Sequence, residues 1–183
     1  GARERDPAWS PDGQWLAYWS DASGEYQLMV SDVDGRRPAR MLTREVSPQR
    51  YEIRWSPDSR KLAWSDKTGT LWWFDVERRR VTRVDQDSRQ DTHEYEWSPD
   101  SRWIVYTKQS RTFLRKIHLY SLATAQSSCV SDGMSDDYSP SFDPTGRWLF
   151  FASWRTLQLL PGHFEKSMTF QPSARVYALS LAN

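Results

Sequence analysis

One turn sequence is written four times along this chain, and that repetition limits the fold more than any other feature. The copies are Ala8-Trp9-Ser10-Pro11-Asp12-Gly13, Arg54-Trp55-Ser56-Pro57-Asp58-Ser59, Glu96-Trp97-Ser98-Pro99-Asp100-Ser101 and Ser141-Phe142-Asp143-Pro144-Thr145-Gly146. Their prolines are separated by 46, 42 and 45 residues. A period of about 40–50 residues is what one four-stranded β-propeller blade consumes.

The turn has a mechanical reason. Proline presets φ for the second turn position, and Asp suits the third. Glycine supplies the left-handed residue that lets a hairpin close with a bulge. The leading Ser bonds back to the turn backbone. Ser59 and Ser101 stand where glycine is favoured, which predicts slight strain at both. The Trp or Phe before each turn is large enough to fill the space between neighbouring blades.

Each turn leads into the same short apolar run: Trp15–Tyr18, Lys61–Trp64, Trp103–Tyr106 and Trp148–Phe151. A further strand follows at Leu28–Ser31, Leu71–Phe74, Ile117–Tyr120 and Val176–Leu179, and a weaker one near Arg40–Thr43, Val81–Val84 and Ser128–Val130. These runs are rich in β-branched and aromatic residues and are bounded by turn residues. No segment carries a long helical period. The reading is an all-β propeller of four blades, each of about four antiparallel strands. It forms one domain, 1–183, with blades at approximately 6–46, 47–90, 91–134 and 135–183. In the last repeat, Trp154 to Ala174 reads as a long insert between the second and third strands. No outer strand follows Leu181, so this blade is incomplete. An uncovered edge exposes unpaired backbone groups, so the expectation is part of a larger propeller, or one closed by oligomerisation. Pairing of two copies, giving eight blades, is the homodimer form of that expectation.

Composition excludes several classes. The net charge is +1, which gives no global attraction to nucleic acid or anionic membrane. Arg78-Arg79-Arg80 is flanked by acids and reads as a solvated turn. No apolar run approaches the roughly 20 residues of a membrane helix, and Gly1–Arg5 does not read as a signal peptide. The single cysteine, Cys129, cannot close an internal disulfide, which suits a cytoplasmic location, with the periplasm as the alternative.

The tandem Trp-Ser-Pro-Asp-(Gly/Ser) turns resemble the WD-like propellers of tricorn-type proteases and of the periplasmic Tol-system protein. The Ala8–Gly13 turn followed by Ser20-Asp21-Ala22-Ser23-Gly24-Glu25-Tyr26 is more similar to tricorn. So are Trp55–Ser59 followed by Trp64-Ser65-Asp66-Lys67, and the stretch Ser131–Pro140. The terminal run Arg175–Leu181 resembles the last propeller strand before that family's PDZ-like and peptidase modules. The resemblance implies a non-catalytic segment of a large serine protease, whose propellers route or gate peptide substrates and products. The family's catalytic Ser and His lie outside its propellers, so no residue here inherits those roles. The expected partners are peptides or protein segments and the remaining domains of a parent protease. A stand-alone Tol-type propeller acting as a protein-interaction module is the alternative.

The residues themselves suggest no catalytic constellation, metal site or cofactor. His93, His118 and His163 fall in different repeats without metal-type spacing. No Gly-x-Ser-x-Gly, phosphate loop or zinc signature is present. Propellers bind with loops, and the loops leading into each innermost strand share one face. They carry Arg50, Tyr51 and Glu52, then His93, Glu94 and Tyr95, then Asp136, Asp137 and Tyr138. Aromatic area beside fixed charge suits a peptide-binding rim. The competing reading packs the three tyrosines at the blade tops.

Overall fold

In a computed structural model the structure describes residues 1–44, 50–87, 89, 94–161 and 168–181, with backbone alone for 156–161 and 168–173. Four antiparallel sheets follow one another along the chain. The first contains β1 (Glu4–Trp9), β2 (Trp15–Ser20), β3 (Gln27–Asp32) and β4 (Arg40–Met41). The second contains β5 (Arg54–Trp55), β6 (Lys61–Ser65), β7 (Thr70–Asp75) and β8 (Arg80–Gln86). The third contains β9 (Tyr95–Trp97), β10 (Trp103–Gln109), β11 (Arg115–Ser121) and β12 (Gln126–Cys129). The last contains β13 (Asp137–Phe142), β14 (Trp148–Pro161) and β15 (Met168–Ser180). Within each sheet, strands pair in chain order, which is the up-and-down connectivity of a propeller blade.

The turn that defines the repeat closes the first hairpin of every blade. Ser10 Oγ accepts from the Trp15 N–H at 2.9 Å and donates to Asp12 Oδ1 at 2.5 Å. Ser98 repeats both contacts with Trp103 and Asp100. In the fourth blade Asp143 replaces the serine and accepts from the Trp148 N–H at 2.6 Å. Gly13 and Gly146 take φ of 70°, and Ser59 and Ser101 take 57° and 59°. The left-handed conformation is therefore kept where glycine is absent.

The apolar core lies between blades. Strand alternation sends successive residues to opposite faces. Leu62 and Trp64 join Ala17, Trp19, Leu28 and Val30 of the first blade. Ala63 and Leu71 face the other way, toward Tyr95, Trp97, Ile104 and Tyr106. Val105 and Ile117 meet Phe142, Leu149 and Phe151 of the fourth blade. The tryptophans before the turns also hydrogen-bond between blades. Trp55 Nε1 donates to the Ala8 carbonyl at 2.9 Å, and Trp97 Nε1 donates to the Arg54 carbonyl at 3.1 Å.

The ends of this stack differ from its middle. Trp55 and Trp97 are 9% and 5% exposed, whereas Trp9 at the equivalent place in the first blade is 61% exposed. On the far side of the fourth blade, Trp148, Phe150 and Trp154 share one strand face and are about two-fifths exposed.

The segment read from sequence as an insert is corrected. Trp154 to Pro161 continues β14, and Met168 onward belongs to β15. Pairing runs through Thr156↔Ser173 to Pro161↔Met168 after an irregularity between Ser153 and Thr156. The extra residues lengthen one hairpin instead of forming a loop. The apolar residues Leu157, Leu159 and Leu160 gave no clear alternation, which hid the continuation.

Candidate functional site

The lead-in loops and the turns between second and third strands lie on one face. The bridge between Arg50 and Asp66 and the Tyr51 N–H to Ser65 carbonyl bond (2.8 Å) fix this in the second blade. The Thr107 N–H to Glu94 carbonyl bond and the Trp154 N–H to Asp136 carbonyl bond do so in the next two.

Most of the rim candidates are engaged in holding blades together. Arg50 is 3% exposed. Its guanidinium donates to Thr43 Oγ1 at 3.1 Å and the Tyr26 carbonyl at 3.3 Å, and lies over the Trp19 ring. The Tyr51 carbonyl accepts from Trp19 Nε1 at 3.0 Å. Tyr95 is buried and donates its hydroxyl to the Glu52 carbonyl at 2.5 Å. Burial pushes the Tyr95 hydroxyl well above the ordinary tyrosine range, so it stays protonated and donates. The Glu52 carboxylate points outward and pairs with Arg54 at 3.0 Å. His93 lies outside the described residues.

The third and fourth blades meet in one charged cluster. Arg115 approaches Asp136 with Nε at 3.0 Å and Nη2 at 2.7 Å, and its backbone N–H reaches the same carboxylate at 2.8 Å. The fork holds the Asp136 carboxyl below the usual carboxylate range, despite partial burial. The same guanidinium sits 3.6 Å from Glu94 and over the Tyr138 ring at 4.5 Å. Glu94 also accepts from the Ser139 N–H at 3.2 Å. Asp137 is fully buried, and Arg155 reaches its Oδ2 at 3.2 Å.

This arrangement brings Glu94, Asp136 and Tyr138 together around Arg115. It leaves Arg50, Tyr51 and Glu52 one blade away. Among the described residues no group of three or more His, Cys, Asp or Glu could hold a metal ion.

A family model described as the tricorn protease second beta propeller domain matches residues 1–183. The chain belongs to this family. Tricorn protease homolog 1 of Streptomyces coelicolor is 27% identical over 187 residues, covering 100% of this chain and 18% of its own length. Uncharacterized peptidase YuxL of Bacillus subtilis is 27% identical over 152 residues, covering 82% of the chain and 22% of its own. The chain thus spans less than a quarter of these relatives. The crystal structure of the tricorn protease superposes with a TM-score of 0.84 at 18% identity, over 98% of this chain and 18% of that one. TolB from Acinetobacter baumannii superposes at 0.61 with 19% identity, over 97% and 43%. These two likenesses concern the fold.

Two of the residues that organise this face were given no structural role by the sequence, although Asp66 falls within a stretch that carries the tricorn resemblance. Asp66 is buried and accepts from the Thr68 N–H at 2.8 Å and Trp72 Nε1 at 2.8 Å. Arg115 sits in a strand, away from the loops that a search for rim residues inspects. A cross-blade partner is visible only once Asp136 is placed beside it.

Proposed function

We propose that this domain is a non-catalytic wall of a tricorn-like serine protease, past which peptides are routed to or from a peptidase module elsewhere in the parent. The observation that carries this reading is the use of the rim. Arg50, Tyr95, Asp136 and Asp137, the groups best suited to chemistry, are buried or paired in contacts between or within blades. Glu52 remains outward-facing, with its side chain 65% exposed. Fixed charges on a rigid rim orient a passing peptide without transforming it. The experiment uses the full-length parent carrying Glu52→Cys labelled with a bulky maleimide, in a background with Cys129→Ser and other accessible cysteines replaced. Turnover of long peptides falls while turnover of a dipeptide-sized substrate is unchanged. Equal effects on both lengths count against routing.

The two open faces favour a second element of the proposal. Trp9 on one side, and Trp148, Phe150 and Trp154 on the other, occupy places that neighbouring blades cover inside the stack. We propose that further blades of the parent cover them, with a second copy of this chain as the competing occupant.

A further inference from the structure

The outer edge of the first two blades carries a second feature, independent of the peptide-routing reading. A groove of about 640 Å³ lies between the chain just after β4 and the turn from β7 to β8. Arg44 enters it from the first blade, and Arg78, Arg79 and Arg80 enter from the second. Leu42 and Val81 give it a half-buried aliphatic floor.

The charge there is far from the chain average. Residues 32–44 and 75–83 hold eight arginines against Asp32, Asp34, Asp75 and Glu77, a net +4 in a chain whose total is +1. Arg78 is matched, since its guanidinium donates to Asp75 at 2.8 Å. Arg36 pairs with Asp34 at 3.2 Å. Arg37 and Arg40 lie over the Trp15 ring. Arg79 donates to the Met41 carbonyl at 3.4 Å, a contact that brings no negative charge.

Arg79 is also in an unusual place. Its φ is 53°, the value Ala125 also takes at the equivalent place in the third blade, whereas the tighter turn of the first blade uses Gly35 at 66°. A long cationic residue is kept where glycine has the lower backbone cost. Its side chain bridges the two blades at the groove.

We propose that this groove binds an acidic protein segment, one presenting two or more carboxylates on short aliphatic stems. Guanidinium forks suit carboxylates, and the floor of Leu42 and Val81 suits the methylenes of Glu or an adjacent Leu. No aromatic side chain lines the groove among the described residues, so base stacking on single-stranded nucleic acid has no platform there. The groove is larger than a single phosphate needs.

The test is anisotropy of a fluorescein-labelled Glu-Leu-Glu-Glu-Leu-Glu peptide titrated with the protein at low salt. Binding is expected, with a loss of more than about tenfold at roughly 0.5 M NaCl, where screening is short-ranged. Arg79→Gly and Arg80→Gln each weaken it about three- to fivefold, as single exposed ion pairs do. Arg79→Gly relaxes the backbone, so its loss of binding is not explained by misfolding, and an unchanged or raised melting temperature checks this. Arg102→Gln, at a turn that does not line the groove, leaves binding intact. The proposal is overturned by no binding at about 1 mM, or by equal binding to Arg79→Gly and the parent sequence. Tighter capture of a labelled hexathymidylate, or full displacement by inorganic phosphate, overturns it as well.

Discussion

The Ser101 hydroxyl of the third blade accepts the backbone N–H of Asp58 in the second, at 3.0 Å. Ser59 makes the same bond to Asp12 of the first blade, at 3.1 Å. These serines hold left-handed φ where glycine is favoured, and their side chains join consecutive turns. Ser101→Ala keeps the strain and loses the bond, so we expect a cost of about 1–2 kcal/mol in urea unfolding. Ser101→Gly loses the bond but relieves the backbone, so its cost is smaller, under about 1 kcal/mol. Equal losses for both variants would show that the left-handed backbone stores no strain, and no loss in Ser101→Ala would show that the hydroxyl contributes nothing.

A second prediction concerns the indole donors. Trp97→Phe retains most of the ring that fills the space between blades and leaves the Arg54 carbonyl without the indole. The expected cost is about 1 kcal/mol beyond the loss of ring area. Trp9→Phe, at the exposed end, costs far less in the isolated chain. Paired unfolding curves for the two variants provide the check. The fourth blade carries Phe142 at this place, so its contact with the third blade already lacks an indole donor.

Arg115 connects the third and fourth blades through Asp136, Glu94 and the Tyr138 ring. Its side chain is about a quarter exposed, so the ion pairs are discounted for solvent. Arg115→Met, which keeps the aliphatic stem, should still cost about 1–2 kcal/mol because the bidentate fork is lost. It should also raise the Asp136 pKa toward the ordinary carboxylate value, which carboxyl NMR titration would detect. An unchanged Asp136 titration would refute the assigned cause.

His118 in β11 stacks on Tyr106, with ring centroids 5.5 Å apart. Burial lowers its pKa from the usual 6.5, with Lys108 and Lys116 adding to the effect and Asp85 and Asp87 opposing it. Above the unfolded value the imidazole is neutral in both states, and its contribution to stability is fully present. As pH falls below it, the unfolded chain takes up a proton that the folded chain resists, so stability declines through the folded pKa. Urea midpoints at about pH 7.5 and about pH 5 should therefore differ more in the parent sequence than in His118→Gln.

Much of the fold is legible in the sequence because one local device is repeated. Pro11, Pro57, Pro99 and Pro144 each mark a hairpin, and the apolar runs after them alternate with the period of a strand. The long hairpin of β14 and β15 was obscured because its residues lack that alternation. The rim was legible only as a face. Arg50, Glu94 and Asp136 stand where charged lead-in loops predict, but their partners come from Thr43, Ser139 and Arg115. Those partners are set by the packing of one blade on the next, which a single repeat does not encode. Arg44 joins the basic run at residues 78–80 for the same reason, across the boundary between two blades.

The most direct test is solvent exchange at the Trp9 indole N–H, compared with Trp55 and Trp97. If this domain is a stretch of blades completed by the rest of a tricorn-like protease, Trp9 exchanges freely in the isolated chain at low concentration. In the full-length parent it becomes as protected as the other two. A Trp9 indole that still exchanges at the solvent rate in the full-length protein would contradict the account.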